Sequence, residues 1–202
     1  VIQKKPLILG LGGTPRRGSS SERALAISLK AAEAEGARTL LFCGAELVLP
    51  IYMPGERPSE QASRLLAALR DCCGIIISSP AYHGSISGLL KNALDYAEEL
   101  RTDARVYLDG TPVGCIACAG GWQAAGQTLS VLRTIAHSLR GWPTPFGAML
   151  NTSVPLFDGD GNCTDPTIRG QLETVGRQVV GFIQARHRSI PNARSSAMED
   201  AK

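Results

Sequence analysis

Two periodicities alternate along this chain. Five short apolar runs of strand length recur along it: Leu7 to Leu11, Arg38 to Cys43, Gly74 to Ser79, Val113 to Ala119 and Phe146 to Leu150. Runs apolar at nearly every position fit strands covered on both faces, whereas a strand with one wet face alternates. Between them lie segments of helical period. Ser20 to Glu35 is rich in Ala, Leu, Lys and Glu and is followed by Gly36, a helix stop. Ser59 to Cys72 follows Pro58. Ile86, Leu89, Leu90, Ala93, Leu94, Ala97 and Leu100 form one apolar stripe, and Leu129, Leu132, Ile135, Ala136 and Leu139 form another. Ile168, Leu172, Val175, Val179 and Ile183 mark the last helix, running to about Arg186. This alternation predicts an α/β fold: a doubly wound, five-stranded parallel sheet with helices on both faces. Such a sheet binds its ligand beyond the carboxyl ends of the strands, where the strand order reverses.

Composition narrows the reading further. With 202 residues, 44% of them hydrophobic, the chain is long enough for one domain with a real core. The domain is expected to span residues 1–186, with 187–202 as an aperiodic tail. The net charge is only +3, and Arg186, Arg188, Arg194 and Lys202 against Glu199 and Asp200 put +2 of it after Ala185. No broad basic face is left to grip nucleic acid. No apolar run approaches the ~20 residues of a membrane span, and Leu7 to Leu11 is too short for a signal core. A cytoplasmic location is therefore expected, with the six cysteines as thiols. Cys115 and Cys118 have C-x-x-C spacing, but three residues apart on a strand they point to opposite faces, and no metal site is expected.

Three loops leave the predicted carboxyl ends with unusual composition: Gly12 to Ser21, Pro80 to Ser87 and Gly120 to Gln123. The first joins a strand to a helix and carries Thr14, Arg16, Arg17, Ser19, Ser20 and Ser21. A helix N-terminus presents unpaired amides and a positive dipole end, and hydroxyls and arginines add donors, so the loop reads as an anion site. Ser19 with Glu22 also reads as a capping box. The two readings are compatible, because three serines and two arginines exceed what a cap needs. Gly13 and Gly18 have P-loop spacing, but Ser19 stands where the phosphate-binding lysine belongs. The third strand also ends in Ser78-Ser79, without an aspartate for magnesium. The dinucleotide fingerprint fails as well, since Pro15 replaces its third glycine. What remains suits a single terminal phosphate, such as that of FMN.

The second loop and its helix read Ser79-Pro80-Ala81-Tyr82-His83-Gly84-Ser85-Ile86-Ser87-Gly88-Leu89-Leu90-Lys91-Asn92-Ala93-Leu94-Asp95. Here the chain resembles the NAD(P)H-dependent FMN reductase family of flavodoxin-like proteins. That family carries S-P-x-Y-x-x-S-x-x-G-x-L-K-N-A-x-D after the third strand, matched at Ser79, Pro80, Tyr82, Ser85, Gly88, Leu90, Lys91, Asn92, Ala93 and Asp95. Its G-S-x-R-x-x-S-x-N loop after the first strand is met with two departures, Thr14 for serine and Ser21 for asparagine. The resemblance implies that Arg16, Ser19 and Ser21 hold the FMN phosphate, with Thr14 keeping the hydroxyl of its position. Pro80, Ala81, Tyr82, His83, Gly84 and Ser85 would run along the isoalloxazine edge through backbone amides. Gly120 and Gly121, before Trp122, match the family's glycine-rich loop after the fourth strand and would approach the ring's pyrimidine end.

The residues agree where they speak. Pro80 gives a rigid turn out of the strand, and Gly84 permits close backbone approach. Tyr82 and Trp122 fit either packing or ring contact. No side chain is assigned a catalytic role, because the flavin carries the reaction. The resemblance implies hydride transfer from NADPH or NADH to FMN N5, then onward to free flavin, a quinone, an azo compound, a metal oxyanion or oxygen. Either Arg16 or Arg17 is placed to meet a 2′-phosphate, which would favour NADPH. It also implies small-molecule substrates and a homodimer or homotetramer built through the helix bearing Lys91 and Asp95. The competing reading is a flavodoxin-type electron carrier, which would dock through an acidic face that the +3 charge does not supply.

Overall fold

Five parallel strand positions form the sheet, and the three central ones are the most continuously apolar. The computed structural model describes residues 5–189. β1 (Leu7–Gly12), β2 (Arg38–Phe42), β3 (Gly74–Pro80) and β4 (Pro112–Ala119) lie in the order β2-β1-β3-β4, all parallel. β1 and β4 are buried at every position and β3 at all but its last, the burial that continuous apolar runs predict. The strand order reverses between β1 and β3, so the crevice between their carboxyl ends is the switch point.

α1 (Ser20–Ala34) and α5 (Pro166–Ser189) cover one face. α2 (Glu60–Asp71), α3 (Gly88–Asp95) and α4 (Trp122–Ser138) cover the other. The core is accordingly split by the sheet. Cys115 belongs to the half under α2 and α4, and Cys118 to the half under α1 and α5. Both thiols are pushed up to about 12, in each case chiefly by burial. Among the described residues no helix is long and apolar enough to cross a membrane.

Three details differ from the sequence expectation. The fifth strand, expected over 146–150, is broken into β5 (Trp142–Pro143) and β6 (Ala148–Asn151), which pair with opposite ends of β4. The Thr144 N–H still donates to the Val113 carbonyl at 2.9 Å, but Pro145 lacks the amide a continuous ladder needs, so the chain leaves the sheet there and is tied elsewhere. There the Phe146 N–H donates to Gln178 Oε1 at 2.9 Å. The stripe from Ile86 to Leu100 is also two elements, α3 followed by a 3₁₀ turn over Tyr96–Leu100. Finally, α5 continues to Ser189, so residues 187–189 of the expected tail are helical; residues 190–202 lie outside the described residues.

Candidate functional site

The loop after β1 is shaped by one glycine and one carboxylate. A Cβ on Gly13 would stand 2.7 Å from Pro80 Cδ and 2.9 Å from Ser79 Cα. Only glycine lets this loop lie directly on the end of β3, which brings the first two loops together. Past it, Thr14 Oγ1 accepts the Arg16 N–H at 3.2 Å, and Gly18 turns the chain at φ +67°. Ser19 then caps α1, its Oγ accepting the Glu22 N–H at 3.3 Å and lying 3.2 Å from Ser21 Oγ. The N–H groups of Ser20 and Ser21 are the first two of α1 and have no intrahelical acceptor. Thr14, Ser19 and Ser21 are buried, whereas Arg16 is exposed.

The loop after β3 is a tight hairpin. Tyr82 and Ser85 exchange both backbone hydrogen bonds, at 2.9 and 3.0 Å. His83 and Gly84 fill the turn with φ of 50° and 82°. Two successive left-handed residues make the primed turn that suits a two-residue hairpin. Gly84 is thus required by the turn itself, and a Cβ there would meet nothing within 4 Å. The Ala81 N–H donates to the Cys118 carbonyl at 2.8 Å, and Ser79 Oγ accepts the Ser87 N–H at 3.1 Å. The hairpin is therefore fixed at both bases. The expectation that amides from 80 to 85 all face a ring edge is narrowed by this pattern. Pro80 has none, those of Ala81, Tyr82 and Ser85 are already used, and those of His83 and Gly84 have no acceptor among the described residues.

After β4, Gly120 and Gly121 lead into α4, and a Cβ on either would meet open space. The Thr152 N–H donates to the Ala119 carbonyl at 2.7 Å, bringing the residue after β6 alongside.

These three loops enclose a cleft of about 420 Å³ at the switch point. Thr14, Arg16, Ser19, Ser21, Pro80, Ala81, Tyr82 and Gly120 line it, as expected together. His83, Gly84, Ser85 and Gly121 are on the same loops but outside the lining. Ser20, part of the expected anion loop, lines it as well, and Cys118, Ala119 and Thr152 join it without being expected there. Thr152 had a legible signal, since it follows the last strand at its carboxyl end. In the sequence Cys118 stands out only as half of a C-x-x-C. The lining holds one cation and no carboxylate, a donor set that fits an anionic group. Arg17 lies away from it, over Gly44 at the end of β2. A larger groove of about 780 Å³ runs along the outer sides of α1 and α5. Its arginines are engaged, Arg177 with Glu173 and Arg23 and Arg169 with carbonyls of 158–163, and it does not meet the strand ends.

A profile of NADPH-dependent FMN reductases matches residues 6–153, which holds all three loops and the switch point between them. The chain belongs to this family. FMN reductase relatives include FMN-dependent NADPH-azoreductases from Staphylococcus aureus, 45% identical over 86 residues, or 43% of this chain and 39% of theirs. Another from Staphylococcus haemolyticus is 34% identical over 111 residues, or 54% of this chain and 55% of its own. The matched stretches thus span about half or less of those relatives. Among solved structures, the flavoenzyme NAD(P)H:(acceptor) oxidoreductase FerB from Paracoccus denitrificans superposes with a TM-score of 0.74 at 21% identity, covering 89% of this chain and 98% of FerB. A WrbA-like flavodoxin from Agrobacterium tumefaciens superposes with a TM-score of 0.61 at 17% identity, covering 90% and 99%. The fold of this FMN reductase family member is therefore flavodoxin-like.

Proposed function

We propose that the chain is an NAD(P)H-dependent FMN oxidoreductase that passes electrons to a small-molecule acceptor. The observation that carries this reading is the cleft at the switch point, with its hydroxyls, open helix amides, single arginine and no carboxylate. Arg16, Thr14, Ser19 and Ser21 would hold the FMN phosphate, with the Ser20 and Ser21 amides adding the positive end of the α1 dipole. Pro80, Ala81, Tyr82 and Gly120 would wall the ring. The open amides of His83 and Gly84, with Ser85 and Gly121, would reach its edge.

When bound, FMN would supply the redox chemistry, the transfer of reducing equivalents from a reduced nicotinamide to a second acceptor. The protein's part is to anchor the anion, fix the ring's edge and leave one face open. Tyr82 and Trp122 are 53% and 57% exposed, so neither is committed to the core and both are free to pack on planar ligands. Among the acceptors, an azo compound is favoured by the names of the curated relatives; free flavin, quinones, metal oxyanions and oxygen use the same open face. The flavin-binding unit in this reading ends with α5. The six cysteines are all free, which supports a reducing, cytoplasmic setting.

Replacing Arg16 with alanine tests the anchor. FMN affinity should fall about tenfold, the loss of one charge-assisted contact, while riboflavin, which has no phosphate, should bind as before. Equal FMN affinity in variant and parent, by fluorescence titration, contradicts the assignment.

The assembly proposed is a homodimer, or two dimers paired as a tetramer. Val48, Ile51 and Met53 are 55%, 77% and 54% exposed. The strand of loop bearing them is nevertheless held fast, for Asn92 accepts the Tyr52 N–H and donates to the Pro50 carbonyl, both at 2.8 Å. A rigid exposed apolar patch beside α3 supports burial against a second copy. Sedimentation should give a dimer or tetramer, and Ile51→Glu should shift it towards monomer. A monomeric parent protein contradicts this.

A further inference from the structure

We infer that Glu22 is a positioning residue that keeps the phosphate loop open; this rests on the FMN reading above. In an ordinary capping box the glutamate at the third helical position reaches back to the N–H of the cap residue. Here the geometry is displaced by one residue. Glu22 Oε2 accepts the N–H of Gly18 at 2.8 Å, not that of Ser19. The Ser19 N–H is left without an acceptor among the described residues, so it joins those of Ser20 and Ser21 as three consecutive open donors.

The same carboxylate is anchored at its other oxygen. Cys43 Sγ, at the end of β2, donates to Glu22 Oε1 at 3.5 Å. Burial first, and then Glu22, push this thiol up to about 11, so it stays protonated and remains a donor. Glu22 therefore ties the loop at Gly18 to the neighbouring strand end. Gly18 needs the tie, because its left-handed φ of +67° is one of many that glycine can adopt in a free loop. The charge is also turned away. Gly18 and Glu22 face the outer groove on α1, and neither lines the cleft. A carboxylate in the first turn thus supports an anion site without repelling its ligand.

The acceptor for the Gly18 N–H is the part that matters: Glu22→Gln keeps one amide oxygen for it and turns its NH2 towards Cys43 Sγ, a weak sulfur acceptor, so it should keep the loop geometry, whereas Glu22→Ala should lose it. Titrations of the full chain with FMN and with riboflavin read the difference. Glu22→Ala should bind FMN about tenfold more weakly with riboflavin affinity unchanged, and Glu22→Gln should match the parent for both. Unchanged or tighter FMN binding in Glu22→Ala overturns the inference, the latter showing only a repelling charge. Equal loss of FMN and riboflavin also overturns it, as a general structural role, and so does a Glu22→Gln variant as weak as Glu22→Ala. Parent protein that binds no FMN overturns the flavin reading itself, and this inference with it.

Discussion

Gly13→Ala should strip the protein of tight flavin binding. The added methyl would meet Pro80 Cδ at 2.7 Å, Ser79 Cα at 2.9 Å and the Ser78 carbonyl oxygen at 3.0 Å. These are a proline ring and main-chain atoms of a buried strand, so no flexible side chain can give way. The loop must lift from the end of β3, which separates Thr14 and Ser19 from Pro80 and Ala81. FMN and riboflavin should both weaken by more than tenfold, because the whole cleft changes shape. That sets this variant apart from Arg16→Ala, where only the phosphate contact is lost. Stability should fall by roughly 1–3 kcal/mol, the usual range for overpacking. Gly170→Ala serves as control: a Cβ there meets nothing within 4 Å, inside α5. It should bind FMN normally and be more stable by about 0.5–1 kcal/mol, on helix propensity. A Gly13→Ala protein with parental flavin affinity contradicts the role given to the loop contact.

Gly176→Ala should be the most damaging single methyl for the fold. The new Cβ would lie 2.1 Å from the Ser28 carbonyl oxygen and 3.1 Å from both Ala31 Cβ and the Ala32 amide nitrogen. Here α1 and α5 cross with their backbones in contact, sealed by Ser28 Oγ donating to the Leu172 carbonyl at 2.7 Å. Separating the helices loses that bond and opens the packing of Ala24, Leu25 and Ala32 against Val175 and Val179. We expect a loss of about 3 kcal/mol or more. At this chain length that corresponds to a fall of roughly 6–12 °C in Tm. Urea denaturation of parent and variant measures it directly, and an unchanged midpoint contradicts the close crossing.

Neither of these glycines announces itself in the sequence. Gly13 reads as a phosphate-loop glycine that approaches a ligand, whereas its neighbour is the protein's own β3. Gly176 lies in a helical stripe and reads as a weak helix former. What was legible came from periodicity. β1, β3, β4 and the five helices follow from apolar runs that alternate with stripes, because buried parallel strands need no polar face, whereas β2, expected to be covered on both faces, is an edge strand exposed at Arg38 and Leu40. The break between Pro143 and Ala148 is not legible, since Phe146 to Leu150 is apolar enough to pass for one continuous strand. The proline at 145 was the available signal.

The site divides in the same way. Loop composition located Thr14, Arg16, Ser19 and Ser21, and motif likeness located Pro80 to Ser85. Composition does not show which amides remain free once a hairpin closes on itself. His83 and Gly84 emerge from the turn geometry alone. Nor does it show which way a carboxylate faces: Glu22 is legible as a cap partner, but its diversion to Gly18 depends on the third dimension. Thr152 is distant in sequence and enters only because β6 ends beside β4.

Electron exchange between a reduced nicotinamide and FMN is the activity proposed for this chain. It is tested most directly by anaerobic reduction of the FMN-loaded protein. Adding NADPH or NADH in the absence of oxygen should bleach the flavin absorption band, and an azo dye added afterwards should restore it as the dye loses its own colour. FMN that binds tightly but is bleached by neither nucleotide contradicts the account and favours an electron carrier that is reduced by a partner protein.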